Sequence, residues 1–516
     1  MTAASRLIKL PLNRVEGDLE IFIEIADGVV SNAWSKGTMF RGFERMMEGR
    51  AAMDGLVITP RICGICSLTH LNAAAEALDA ITGIRPPDNA QRLRNLAVMA
   101  ETVQSDMRHA VLMFLVDFAH RESYKNHPLG EEAFQRYAPL SGSAAIETIK
   151  ETKKLLGIVA LIGGQWPHTS FMVPGGVSSA LSLTDTLKCR SILAHFKSWY
   201  ERYILGCSSE RWAQVNTLDE LEAWLDEKPE HRNSEVGFFI RFSKLAKLET
   251  LGRGHDNFIS YGSYHLPQDT AVSGTDGRLF AAGFAKGTQV ETLDLTKIQE
   301  DVSYSWFEQA TAVAHPHESQ TNPFIAGEGD ARYSWIKAPR YDSLPAETGA
   351  LAEKIAAKDA LFTDLVSKLG GNVFARQLAR MVRPVAYMAA MTTWLDELLK
   401  YPDGDFYQHV TEIPDGRGQG LVQAARGALG HWVEVQNEKI KHYQIITPTT
   451  WNGSPRDGGG VAGAWEQALI GTPIRDLSHP IEAGHVIRSF DPCLVCAVHT
   501  VHKGQASGHL RLGFGG

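Results

Sequence analysis

Two Cys-x-x-Cys pairs offer the clearest chemistry in this sequence. Cys63 and Cys66 lie in Pro60-Arg61-Ile62-Cys63-Gly64-Ile65-Cys66, and Cys493 and Cys496 in Asp491-Pro492-Cys493-Leu494-Val495-Cys496-Ala497-Val498-His499. A two-residue gap lets both sulfurs of a pair converge on one ion, and Gly64 permits the tight turn between them. Thiolates suit soft or borderline metals, so zinc, iron and nickel all fit, and spacing does not choose among them. A zinc ribbon is one alternative, but such sites close short loops, whereas more than four hundred residues separate these pairs. Thiol–disulfide exchange is another, yet neither pair has a βαβ context. Coincidence is the third.

The elements that must carry these residues are mostly helical. Ser67 to Thr82 is Ala/Leu-rich and ends at Gly83, predicting a helix with the first pair at its N-terminus, where the thiolate is favoured. Pro86-Pro87-Asp88 then opens a second helix. Leu93, Leu96, Met99, Val103, Met107, Val111 and Leu115 continue it at three- and four-residue steps. Helical patterns also cover roughly 145–163, 178–205, 347–369 and 372–400. Alternation on either side of Asp27-Gly28 predicts a hairpin over 19–34. Between about 250 and 340, Gly, Asp, Ser and aromatics predict short strands and long loops. The expected class is predominantly α with peripheral β, an α+β fold built on a central bundle of long helices.

Bulk properties exclude several functions. The chain has 516 residues, 44% hydrophobic and 21% charged, with a formal net charge of −8 and no run of Lys or Arg. A nucleic-acid partner held by phosphate neutralisation is not expected. Nor does the first stretch read as a secretory signal, and no apolar run is long enough for a direct membrane span. Six cysteines are too few for a disulfide framework in a chain this long. Cys189 and Cys207 lack metal-ligand spacing and read as core residues.

Arg61-x-Cys63-Gly64-x-Cys66, with Asp491-Pro492-Cys493-x-x-Cys496-x-x-His499 near the end, resembles the paired signatures of nickel–iron hydrogenase large subunits. Ordered matches run between them. They include Arg14-Val15-Glu16-Gly17-Asp18-Leu19, Phe40-Arg41-Gly42-Phe43-Glu44, and Pro167-His168 with Val173-Pro174-Gly175-Gly176. Further on lie Arg426–Trp432, Pro448-Thr449-Thr450-Trp451-Asn452 and Ala468–Pro473.

The resemblance implies a Ni-Fe(CN)2(CO) centre, with nickel held by Cys63, Cys66, Cys493 and Cys496 and iron bridged through Cys66 and Cys496. It implies heterolytic splitting of hydrogen, the proton going most simply to the Cys493 sulfur. Glu16 matches a proton-relay glutamate; its alternative is an ion pair with Arg14. Arg426 matches an arginine over the open metal position, held by Asp491. The family usually has proline before that arginine, where this chain has Ala425. Asp106 is the candidate for a further carboxylate, with Ser105 the alternative alignment. His70 matches a donor to a bridging sulfur, against a satisfied core histidine. Glu44, His499 and the Ile445 carbonyl match a magnesium (Mg2+) site.

By the same resemblance, residues 1–499 form one hydrogenase large-subunit domain and 500–516 an extension. A maturation endopeptidase removes that extension once chaperones have inserted nickel. The implied partner is a small subunit carrying iron–sulfur clusters, because this chain has no spare cysteine cluster to conduct electrons away. The expected place is cytoplasmic, or membrane-associated or exported through that partner. A hydrogen sensor of the same fold is the competing function, and the tail argues against it. A structural relative such as the quinone-module subunit of respiratory complex I lacks the metal cysteines. A zinc-stabilised scaffold is the remaining alternative.

Overall fold

The structure is a computed structural model that describes residues 6–10, 12–15, 17, 19–139, 141–269, 277–324 and 330–493. Glu16, Cys496, His499 and the 500–516 extension therefore lie outside the described residues.

An antiparallel sheet opens the chain: β1 (Arg6–Leu10), β2 (Leu19–Ala26) and β3 (Val29–Gly37) in that order. The expected hairpin turns at Asp27 and Gly28, both at positive φ, with the alternate residues Leu19, Ile21, Ile23 and Ile25 buried. After the first cysteine pair runs α1 (Ser67–Thr82), closed by Gly83 in the left-handed conformation. Next comes α2 (Asp88–Arg108), almost wholly buried. It passes into a π-helical turn at His109–Phe114, a departure from regular helix common at functional sites.

α3 (Leu183–Trp199), α4 (Val373–Val382) and α5 (Pro384–Lys400) follow. α2 and α3 both pack on α5, forming the core of the helical assembly. The described residues between 250 and 340 form mainly short strands and loops, as the composition predicts.

One sheet is not peripheral. β4 (Gly416–Ala424), β5 (Gly427–Gln436) and β6 (Lys439–Ile446) lie in order, antiparallel, with β4 flat on α1. A Cβ at Gly420 would stand 1.8 Å from the Ala73 carbonyl oxygen, so only glycine lets strand and helix approach this closely. α6 (Ile481–Ser489) then leads directly into Asp491-Pro492-Cys493. Among the described residues no helix is long and apolar enough to cross a membrane.

Candidate metal centre

The first cysteine pair sits at the mouth of α1, with Cys66 as its N-cap residue. The unpaired amides of that first turn are met by Glu101 on α2, which accepts from Leu68 N (3.1 Å) and Thr69 N (3.2 Å). The same carboxylate accepts from the Trp166 indole at 3.0 Å and the Thr69 hydroxyl at 3.2 Å. Burial pushes its pKa up to about 7 against these donors. Glu101 thus ties the cysteine turn to the longest core helix.

Cys493 arrives from the other end of the chain, its amide donating to the Thr449 hydroxyl at 3.0 Å. Cys63, Cys66 and Cys493 are all buried, and the Cys63 and Cys493 sulfurs lie 3.5 Å apart. Two thiolates, each about 2.3 Å from one tetrahedral ion, would be separated by about 3.7 Å. The observed approach fits a shared ligand set. Cys189 is buried, as expected of a core residue, whereas Cys207 is only half-buried.

Arg426 stands over this cluster on the turn between β4 and β5. Its Nε donates to Asp491 Oδ1 at 3.0 Å, while its Nη1 has no hydrogen-bond partner among the described residues. Burial disfavours its charge, but Asp491 and the cysteines 493, 66 and 63 outweigh that and hold it protonated. Asp491 sits at φ 58, a conformation that Asp tolerates better than most residues. Burial disfavours its charge too, yet Arg426 above all, with Arg380, keeps it below the usual carboxylate range. His109 approaches Asp491 Oδ1 at 3.7 Å and burial drives its pKa down to about 3, so it is neutral.

Asp106 is not a partner of Arg426. Both its oxygens instead accept from Arg383, at 2.8 and 2.6 Å, in a wholly buried pair. Three guanidiniums, those of Arg380, Arg383 and Arg426, therefore lie buried among three carboxylates, Asp106, Asp491 and Glu353, the last beside Arg383. Of the three, Arg426 is the one that faces the cysteines, and its charge favours their thiolate form.

His70 is placed on α1 with its Nδ1 3.1 Å from His431 Nε2, and His431 Nδ1 is 2.9 Å from the Tyr443 hydroxyl. Burial lowers the His70 pKa to about 4, leaving the ring neutral. Glu44 is buried and accepts from Gln444 Nε2 at 3.0 Å and Ile445 N at 3.3 Å. Burial raises its pKa to about 7, with Lys337 opposing and Glu300 reinforcing. Ile445 thus meets Glu44 through its N–H. Arg14 pairs with Asp117, which Arg488 also holds at 2.6 Å.

Sequence reasoning missed Glu101, His109, Arg380, Arg383, His431 and Tyr443. Burial of the arginines at 376, 380 and 383, four and three residues apart, had no signal in the sequence, where such a row reads as a solvated helix face. His431, by contrast, lies within the quoted Arg426–Trp432 match.

The arrangement, sulfur donors buried under a fixed guanidinium, is that of a soft-metal centre inside an α+β protein. The model of the nickel-dependent hydrogenase family matches residues 41–127 and 143–499, and the chain belongs to that family. It is the large, catalytic subunit of a nickel–iron hydrogenase, an oxidoreductase. Its sequence is 29% identical to the periplasmic [NiFeSe] hydrogenase large subunit of Desulfomicrobium baculatum, over 97% of this chain and 96% of that one. Identity to the uptake hydrogenase large subunit of Rhodobacter capsulatus is 26%, over 97% and 96%. The as-isolated Ni-Fe-Se hydrogenase of Desulfovibrio vulgaris Hildenborough superposes with a TM-score of 0.80 at 28% identity, covering 96% of this chain and 100% of that one.

Proposed function

We propose that this chain oxidises hydrogen in the uptake direction and passes the electrons to a small subunit carrying iron–sulfur clusters. The observation that supports it most is the convergence of Cys63 and Cys493 under Arg426. In this reading Cys63, Cys66, Cys493 and Cys496 would hold a nickel–iron centre whose iron carries carbon monoxide and cyanide ligands. The unpartnered Arg426 Nη1 and the guanidinium's charge fit such an anionic group. When bound, the centre supplies the heterolytic cleavage of hydrogen and accepts its electrons.

The protein's own part is positioning and proton handling. Arg426 cannot readily lose its proton, so it orients and polarises what lies beneath it, and Asp491 anchors it through Nε. The Cys493 sulfur takes a proton, which Glu16 carries away. His70 donates to a bridging sulfur through Nε2, a tautomer set when Tyr443 donates to His431 and His431 to His70. Glu44, the Ile445 carbonyl and His499 hold magnesium. Residues 500–516 are removed after His499 by an endopeptidase once nickel is in place, and the final compartment follows the partner.

Hydrogen-dependent dye reduction by the processed heterodimer tests this reading. Fast, sustained turnover is expected; turnover slower by orders of magnitude would favour the hydrogen sensor.

A further inference from the structure

α4 and the residue that follows it carry Arg376, Arg380 and Arg383, at steps of four and three along one helical face. All three are buried, and each grips one of two segments that frame the thiolates. Arg376 lies 3.9 Å over the Phe490 ring while paired with Glu347. Arg380 donates to the Ser489 carbonyl at 2.9 Å, two residues before Asp491. Arg383 donates to the Ala425 carbonyl at 2.6 Å and to both oxygens of Asp106.

The last contact bears on the reaction. Arg426 stands between Ala425 and Gly427, and Gly427 has φ 126, a conformation that side chains other than hydrogen rarely adopt. Ala425 has no ring to restrict φ, where the resemblance leads one to expect proline. The backbone bearing Arg426 is thus weakly specified by its own residues. Arg383 adds a restraint from outside to the Ala424–Gly427 pairing that closes the turn. Its hydrogen bond to Ala425 is charge-assisted, and the two-point grip of Asp106 fixes the plane of the guanidinium that makes it.

We propose that Arg383, locked by Asp106, is a positioning residue for Arg426. It sets the Ala425 carbonyl, and so where the Arg426 guanidinium hangs over the sulfurs. This rests on the function proposed above.

The test uses an Asp106→Leu/Arg383→Met double variant, which removes both members of the pair together so that neither is left facing an empty partner. Hydrogen exchange at amides 425–428 is measured in the full chain without metals, and kcat and KM for hydrogen per bound nickel in the processed heterodimer. Exchange is expected to rise about tenfold, with kcat falling about tenfold and KM little changed. Adding Ala425→Pro is expected to restore most of the protection and about half of kcat, because proline fixes φ. Should the double variant fail to accumulate, Arg383→Lys keeps the charge but cannot hold Asp106 and Ala425 together. Its exchange should then rise about threefold. Wild-type exchange and kcat in whichever variant folds, even with lowered thermal stability, would show a merely structural pair and overturn the proposal. If the wild-type heterodimer oxidises no hydrogen, the functional reading fails, and the exchange experiment still decides the positioning claim.

Discussion

Cys63 and Cys493 are 430 positions apart in the chain, and their sulfurs meet at 3.5 Å in its buried centre. Polar groups from separate elements surround them: Glu101 behind the first pair, Thr449 against Cys493, and Arg426 held by Asp491 beside the sulfurs. Closing the centre therefore requires elements from both ends of the chain to meet.

Arg426→Lys keeps the charge and loses the Nε donor to Asp491. The expected result is a fall in kcat of about a hundredfold, as for loss of one preorganised donor, at unchanged nickel content. Dye-reduction kinetics with metal analysis on the same sample check it.

Tyr443→Phe removes the hydroxyl that meets His431 and leaves that buried imidazole one partner short. Unfolding should become easier by about 1–3 kcal/mol. Because His431 sets the tautomer of His70, infrared cyanide bands of the loaded protein should shift as well. Unshifted bands would separate His70 from the centre.

His485 is buried, hydrogen-bonded to the Tyr124 hydroxyl at 2.7 Å, and burial lowers its pKa from 6.5 to about 4. The unfolded chain takes up this proton first as pH falls. Its contribution is therefore complete above about pH 6.5 and lost on going down to about pH 4, on the order of 3 kcal/mol. Denaturant midpoints across that window should fall less steeply in His485→Gln than in the native chain.

The proposed maturation predicts two masses. Chain produced without nickel should keep all 516 residues, and chain matured with nickel should end at His499. Intact-mass spectrometry distinguishes them, and one full-length mass under both conditions would contradict the cleavage step.

Much of this was legible in the sequence, and unevenly so. α1 and α2 follow from their Ala/Leu content, their three- and four-residue apolar steps, and their Gly83 and Pro86-Pro87 boundaries. The β4–β6 sheet does not. Gly418 and Gly420 look like breakers in isolation, and their purpose appears only when the α1 backbone lies against them. Asp106 was legible only through the resemblance, with Ser105 as the alternative alignment, and its partner was not, since Arg383 lies 277 residues away and looks locally like a surface residue. Sequence spacing names donors well; it does not say which buried charges pair.

Infrared spectroscopy of the processed heterodimer, with metal analysis, tests the central claim most directly. The account predicts nickel and iron together, with carbon monoxide and cyanide bands that move when hydrogen is admitted and vanish in Cys63→Ala and Cys493→Ala. Zinc alone, with no band in the cyanide region, would contradict it.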